Sequence, residues 1–161
     1  MTLRFSILTV SDRSSRGERP DSSGPALAEL VRTQGWQVVK QEIVADELES
    51  IKAIFSEWCD SSETDVILAT GGTGFAPRDI TPEATRAVVD RLTPGLDEAM
   101  RAVSLQVTPH AMLSRAVSGV RKRTLIVNLP GSPKGATENL QVLLPALEHA
   151  IHLLRDEDAG H

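Results

Sequence analysis

The segment Asp65-Val-Ile-Leu-Ala-Thr70 runs directly into Gly71-Gly72-Thr73-Gly74. Its apolar residues are continuous rather than alternating, which is the pattern of a strand covered on both faces. Such strands belong to parallel sheets with helices above and below. Three glycines in four positions permit positive φ and let a ligand approach the backbone with no Cβ in the way. A loop of this kind can present N–H groups to a phosphate. It matches neither G-x-x-x-x-G-K-[ST] nor G-x-G-x-x-G, because Pro77 stands where the last glycine of the second pattern would fall. A tight connection with no ligand is the alternative reading of the loop.

The flanking sequence repeats the alternation of strand and helix. Residues 5–10 are a short β-rich run ending at Ser11-Asp12, and the polar stretch 13–23 reads as a loop. A helix is expected from Pro25 to near Gly35, a strand over 36–44, and a second helix carrying Ile51, Ile54, Phe55 and Trp58. After the glycine loop, Thr81-Pro82-Glu83 supplies an N-cap, a first-turn proline and a first-turn acid for a helix to about Arg91. Pro94 and Gly95 break it, and helix resumes over 96–107. Residues 113–120 and 124–129 read as paired strands around a solvated Arg121-Lys-Arg123 turn. Gly131-Ser-Pro133 opens a last helix to about Leu154, bent at Pro145, with residues 155–161 frayed.

These elements predict a three-layer α/β sandwich with a mostly parallel central sheet. At 161 residues the expectation is one domain over 1–161 with its core over about 5–154. Ligands in such sheets bind at the carboxyl ends of strands. That rim holds Ser11-Asp12, the loop from Thr70 to Gly74, and Asn128-Leu-Pro-Gly-Ser132.

Charge narrows the ligand class. Lys and Arg number 17 against 22 Asp and Glu, a net of −5, which is the wrong sign for a general nucleic-acid or anionic-membrane binder. No apolar run approaches the ~20 residues of a membrane span, and no signal peptide is evident. The single Cys59 can form neither an intrachain disulfide nor a thiolate metal site. A reducing cytoplasm is the expected compartment. His149 and His152 stand three apart with no further ligand pattern and read as surface residues.

Chemistry is concentrated on the rim. Arg78 and Asp79 lie between the glycine loop and the next helix, where the Asp can hold Mg²⁺ and the Arg can neutralise a phosphate oxygen. Asp46 follows the second strand on the same rim, so Asp46 and Asp79 can converge on one cation. Two acids plus substrate phosphates are a common Mg²⁺ arrangement. The alternative for each acid is a helix cap, and from local sequence alone that is the ordinary role of an acid at Asp46. Gly131-Ser132-Pro133-Lys134-Gly135 describes an anion-binding helix start, or a plain cap at Ser132.

With those residues in view, the chain resembles the molybdopterin adenylyltransferase family, the MogA/MoaB-like proteins of molybdenum cofactor biosynthesis, similar to gephyrin-type G domains. The resemblance runs over about residues 5–154. Its most specific carrier is Thr70-Gly-Gly-Thr-Gly-Phe-Ala-Pro-Arg-Asp-Ile-Thr-Pro-Glu-Ala-Thr85. Supporting it are Leu8-Thr-Val-Ser-Asp12, Asp21-Ser-Ser-Gly24, Pro94-Gly-Leu-Asp-Glu-Ala-Met-Arg101, Leu113-Ser-Arg-Ala116 and Asn128-Leu-Pro-Gly-Ser-Pro-Lys-Gly135.

The resemblance implies a molybdopterin-binding-like fold, a homotrimer or dimer of trimers, and Mg²⁺-dependent transfer of AMP from ATP to the terminal phosphate of molybdopterin. It also admits contact with other cofactor-assembly proteins. Asp46 and Asp79 match the family's functional aspartates and are the expected catalytic and metal-holding pair. Ser11, Asp12, Gly71, Gly72, Thr73, Gly74, Arg78, Gly131, Ser132 and Lys134 are the expected substrate-binding residues. Ala45 stands where many relatives carry proline, which leaves the approach to Asp46 less rigid. A non-catalytic molybdopterin carrier of the same fold is the alternative.

Overall fold

The computed structural model describes residues 1–156. In chain order the elements are β1 Arg4–Val10, α1 Asp12–Ser15, α2 Ser23–Thr33, β2 Gln37–Val44, α3 Leu48–Asp60, β3 Val66–Thr70, α4 Thr81–Val88, β4 Arg91–Leu92, α5 Pro94–Leu105, a 3₁₀ turn Pro109–Leu113, β5 Ser118–Arg121, β6 Thr124–Leu129 and α6 Pro133–Leu154. The strands form one sheet in the order β2-β1-β3-β6-β5-β4. β1, β2, β3 and β6 run parallel, while β5 and β4 join antiparallel beyond β6.

The central strands sort their side chains by pleat. Phe5 and Ile7 of β1, Val66 and Leu68 of β3, and Leu125, Val127 and Leu129 of β6 face one core with α2, α5 and α6. Leu8 and Val10, Ile67 and Ala69, and Ile126 face a second core with α3 and α4. All five β3 residues are buried, which is why that strand reads as an unbroken apolar run. Trp58 and Cys59 of α3 are buried in the second core, as their apolar setting suggests. Phe5 also stacks on Trp36, with ring centroids 5.3 Å apart.

Several elements differ from the sequence expectation, each for a local reason. The stretch 13–23 is not all loop, because α1 forms at its start with the Ser11 hydroxyl accepting from the Ser14 amide at 3.1 Å. α2 begins two residues before Pro25, at Ser23. α4 stops at Val88, and Arg91 and Leu92 become an edge strand because the Asp90 and Thr93 amides donate to the Val120 and Ser118 carbonyls of β5. Pro94 opens α5 rather than separating it from a later helix.

Strand pairing begins at Ser118, not at residue 113. Residues 109–113 coil into the 3₁₀ turn, and the Arg115 amide is spent on the Thr73 carbonyl of the glycine loop. The basic triplet is not simply solvated, since Arg121 and Lys122 both pair with Asp60. α6 is one helix through Pro145. Arg155 and Asp156 follow as a turn, and the rest of the expected frayed end, 157–161, lies outside the described residues.

Candidate active site

β1 connects outward to β2 on one side, and the chain then crosses to β3 on the other, so the carboxyl ends of β1 and β3 form a topological switch point. A cavity of about 320 Å³ opens there. Ser11, Asp12, Asp46, Gly71, Gly72, Asp79 and Gly131 line it, with Asp21 on its wall and Arg13 and Arg19 beside it. A second cavity of about 320 Å³ lies across the glycine loop. Its walls include Thr73, Gly74, Gly131 and Ser132, and from the α5 side Val107, His110, Leu113 and Asn139. Gly131 is common to both, so the loop from Gly71 to Gly74 is a partition between two compartments.

The partition depends on its glycines. Gly71 and Gly72 both have positive φ, at 101° and 69°. A Cβ on Gly71 would lie 2.4 Å from the Val10 carbonyl oxygen, and one on Gly72 would lie 2.4 Å from the Thr81 hydroxyl oxygen. Thr81 is fully buried and anchors the loop: its hydroxyl donates to the Gly71 carbonyl at 2.8 Å and its amide to the Gly72 carbonyl at 3.1 Å.

Neither Asp46 nor Asp79 is a helix cap. The Asp46 carboxylate accepts from the Asp12 amide at 2.8 Å, and the Asp12 carboxylate accepts from the Asp46 amide at 3.0 Å. This reciprocal pair fixes Asp46 even though a flexible Ala45 precedes it. α3 instead starts after Glu47, with no side-chain cap bond. The Asp79 carboxylate accepts from the Ala76 amide at 3.0 Å, closing the turn that follows Gly74, while α4 has no side-chain cap at Ile80.

Burial raises the Asp46 carboxyl above the usual range. The Asp12 amide opposes that shift, and the charges of Asp12 and Asp79 add to it. Arg78 offsets part of that repulsion, and a half-buried carboxylate beside two other acids is a place where a cation is favourable. Among the described residues no group of three or more His, Cys, Asp or Glu side chains is arranged to hold a metal alone. The donor set fits Mg²⁺ in the mode where one or two carboxylates and substrate phosphates share the ion. Asp46 and Asp79 are the residues that would hold it.

Two expected binding residues are engaged elsewhere or lie outside both cavities, and a third is at once cavity wall and helix cap. Arg78 is not free for phosphate: its guanidinium pairs with both Asp12 oxygens and donates to the Asp46 carbonyl at 3.1 Å. Asp12 is accordingly lowered, first by that Arg78 bond. Lys134 lines neither cavity, is 80% exposed and stands 4.0 Å from Glu138. Ser132 both lines the second cavity and caps α6, its hydroxyl accepting from the Gly135 amide at 3.0 Å.

Other residues acquire roles only in the fold. Asp21 accepts from the Thr9 hydroxyl at 2.8 Å and the Gly24 amide at 3.1 Å, so the 21–24 motif builds the wall of the first cavity. The buried Asp97 accepts from the Ser118 amide and hydroxyl, at 2.9 and 2.7 Å, and ties α5 to β5. Both lie inside motifs that were visible as motifs. Arg13 and Arg19 sit in a polar stretch where nothing local marks them.

A mostly parallel sheet with paired carboxylates and a glycine partition at its switch point defines an α/β protein whose candidate site lies at the carboxyl ends of its strands. The chain belongs to the molybdenum cofactor biosynthesis family described as "Probable molybdopterin binding domain", which matches over residues 6–149. It is 41% identical to the molybdopterin adenylyltransferase of Helicobacter pylori strain J99 over 155 residues, covering 95% of this chain and 88% of that protein. It is 44% identical to gephyrin of Dictyostelium discoideum over 161 residues, covering 94% of this chain and 22% of that longer protein. The crystal structure of the molybdopterin biosynthesis enzyme MoaB from Thermus thermophilus superposes with a TM-score of 0.91 at 52% identity, covering 97% of this chain and 98% of that one. No helix among the described residues is long and apolar enough to cross a membrane.

Proposed function

We propose that this protein is a molybdopterin adenylyltransferase that joins the terminal phosphate of molybdopterin to AMP from ATP, releasing pyrophosphate. The observation that carries the reading is the pair of cavities meeting at the glycine partition, with Asp46 and Asp79 in one of them. The acidic cavity, with Arg13 and Arg19 beside it, suits the triphosphate and its cation. The cavity lined by Val107, Leu113, His110 and Asn139 suits a heterocycle with polar edges such as the pterin. Two phosphates entering from opposite sides would meet near Gly131.

The reaction brings together two anions, so the site must suppress their repulsion and favour charge on the departing pyrophosphate. Mg²⁺ would supply that charge neutralisation when bound. Asp46 and Asp79 would hold the ion, and the backbone amides of residues 72–74 and Gly131 would orient phosphate oxygens, the Gly71 amide being engaged by the Leu129 carbonyl at 3.1 Å. Nothing in this scheme requires a covalent nucleophile; positioning and electrostatics carry it. A cytoplasmic homotrimer, or dimer of trimers, is the form in which we expect it to act.

Incubation of the protein with molybdopterin, ATP and Mg²⁺ tests the reading directly. Pyrophosphate and adenylylated pterin in equal amounts are expected. Tight pterin binding with no product, under conditions where the Helicobacter enzyme turns over, would replace it with the carrier alternative.

A further inference from the structure

Arg115 lies 36 residues from Asp79 in sequence and yet holds the loop that bears it. Its Nε donates to the Gly74 carbonyl at 2.7 Å and its Nη2 to the Asp79 carbonyl at 2.7 Å. The same guanidinium forks onto Glu83 in the first turn of α4, with Nη1 2.8 Å from Oε2 and 3.1 Å from Oε1, and Nη2 3.1 Å from Oε1. Its backbone amide donates to the Thr73 carbonyl at 2.8 Å. The carbonyls on both sides of the turn 74–79 therefore end on one residue.

Other restraints on that turn are few. Within it, the Ala76 amide donates to the Asp79 carboxylate at 3.0 Å and the Asp79 amide to the Ala76 carbonyl at 2.9 Å. Toward the neighbouring loops, the exposed Arg78 pairs with both Asp12 oxygens and donates to the Asp46 carbonyl at 3.1 Å, which holds the middle of the turn but neither of its ends. Residues 75–78 are exposed, with Phe75 at 67%, so packing does little to fix them. A turn without apolar burial opens easily unless polar contacts close it. Arg115 is the neighbour of Ser114, which lines the second cavity, so the clamp ties the wall of one compartment to the carboxylate of the other.

We propose that Arg115 is a positioning residue for Asp79: its planar fork fixes both ends of the 74–79 turn and so sets where the carboxylate stands in the acidic cavity. The assignment rests on the adenylyltransferase reading for its kinetic consequence but not for its structural one. Lysine cannot replace the fork, because its three donors leave one nitrogen and cannot reach the Gly74 carbonyl, the Asp79 carbonyl and Glu83 together.

The test compares Arg115→Lys and Arg115→Ala with the parent by amide hydrogen exchange over peptides spanning 73–80, by kcat and KM for ATP, and by thermal melting. Exchange at Ala76 and Asp79 is expected to quicken at least ~10-fold in both variants. At substrate saturation kcat is expected to fall ~10-fold or more, with a smaller change in KM for ATP, because the carboxylate's charge stays in the cavity while its placement for the reaction is lost. Both variants should remain folded at the assay temperature. Unchanged exchange would overturn the proposal, as would faster exchange with kcat intact, or full kcat in Arg115→Lys. If the parent makes no product, the functional reading falls by itself, and the exchange comparison decides the clamp: parent-like exchange overturns it, and quickened exchange upholds it.

Discussion

Replacing Gly71 by alanine separates two costs that the partition imposes. The first is conformational: φ at Gly71 is 101°, where an L side chain is strained by about 1–2 kcal/mol. The second is steric. The added Cβ would stand 2.4 Å from the Val10 carbonyl oxygen, against a usual carbon–oxygen contact of about 3.3 Å. That oxygen has little freedom to swing away, because Val10 is paired with Val44 of β2 and the preceding Thr9 with Thr70 of β3. Overpacking of this kind costs about 1–3 kcal/mol.

The two together amount to roughly 2–5 kcal/mol, a fall in Tm of roughly 10 °C for a chain of this size. Gly35→Ala is the matched control, since φ there is 80° but a Cβ would meet nothing within 4 Å. It carries the conformational cost alone. Gly95→Ala, with open space and no positive φ, should cost nothing and can stabilise the start of α5. Calorimetric or urea melts of the three variants give the ranking. If Gly71→Ala melts within about 2 °C of Gly35→Ala, the contact with Val10 relaxes freely and the steric argument is wrong.

Gly74→Ala should behave in the opposite sense: its Cβ would touch only the Asp79 carboxylate, at 3.0 Å, so Tm should hold within ~2 °C while adenylylation falls ~10-fold, and equal activity would show that the carboxylate has room to spare. Acid unfolding should report Asp65, where burial raises the carboxyl but the bonds from Arg4 and Arg155 outweigh it and the net shift is downward. Its contribution is therefore complete above the ordinary value near 3.8 and is lost as pH falls through the lower folded value. Asp65→Asn should cost about 2 kcal/mol at pH 7 and progressively less below pH ~3.8, and a pH-independent difference would contradict the assignment. Light scattering at micromolar concentration should give three or six times the 17.4 kDa chain mass, and a monomer mass would remove the trimer.

The legible parts of the molecule were those fixed by burial on both faces of a strand. β3 and the glycine loop announce themselves because a short apolar run stopped by glycines is the pattern of a strand covered on both faces. The pair Asp46 and Asp79 could be placed on one rim from the expectation of a parallel sheet, whose strands end on the same edge. What stayed hidden depended on contacts distant in sequence. α1 has four residues and its first amide is taken by Asp46, 34 positions on. β4 has two residues, too few to show a period. Arg78 looks like a phosphate ligand until Asp12, 66 positions away, is seen to hold it. Arg115 sits in a visible motif, but its role exists only where the glycine loop folds back onto it.

The paired carboxylates carry the account, and isosteric neutralisation tests them. Asn at 46 can still accept from the Asp12 amide while removing a charge that Asp12 and Asp79 oppose, so Asp46→Asn should be as stable as the parent or slightly more so. Asp79→Asn should keep the bond from Ala76 and stay within about 1 kcal/mol. The decisive measurement is the rate of pyrophosphate release with saturating molybdopterin, ATP and Mg²⁺ for parent, Asp46→Asn and Asp79→Asn. The account predicts a loss of at least ~100-fold in each variant with the fold intact. Rates within a few-fold of the parent in both variants would contradict it.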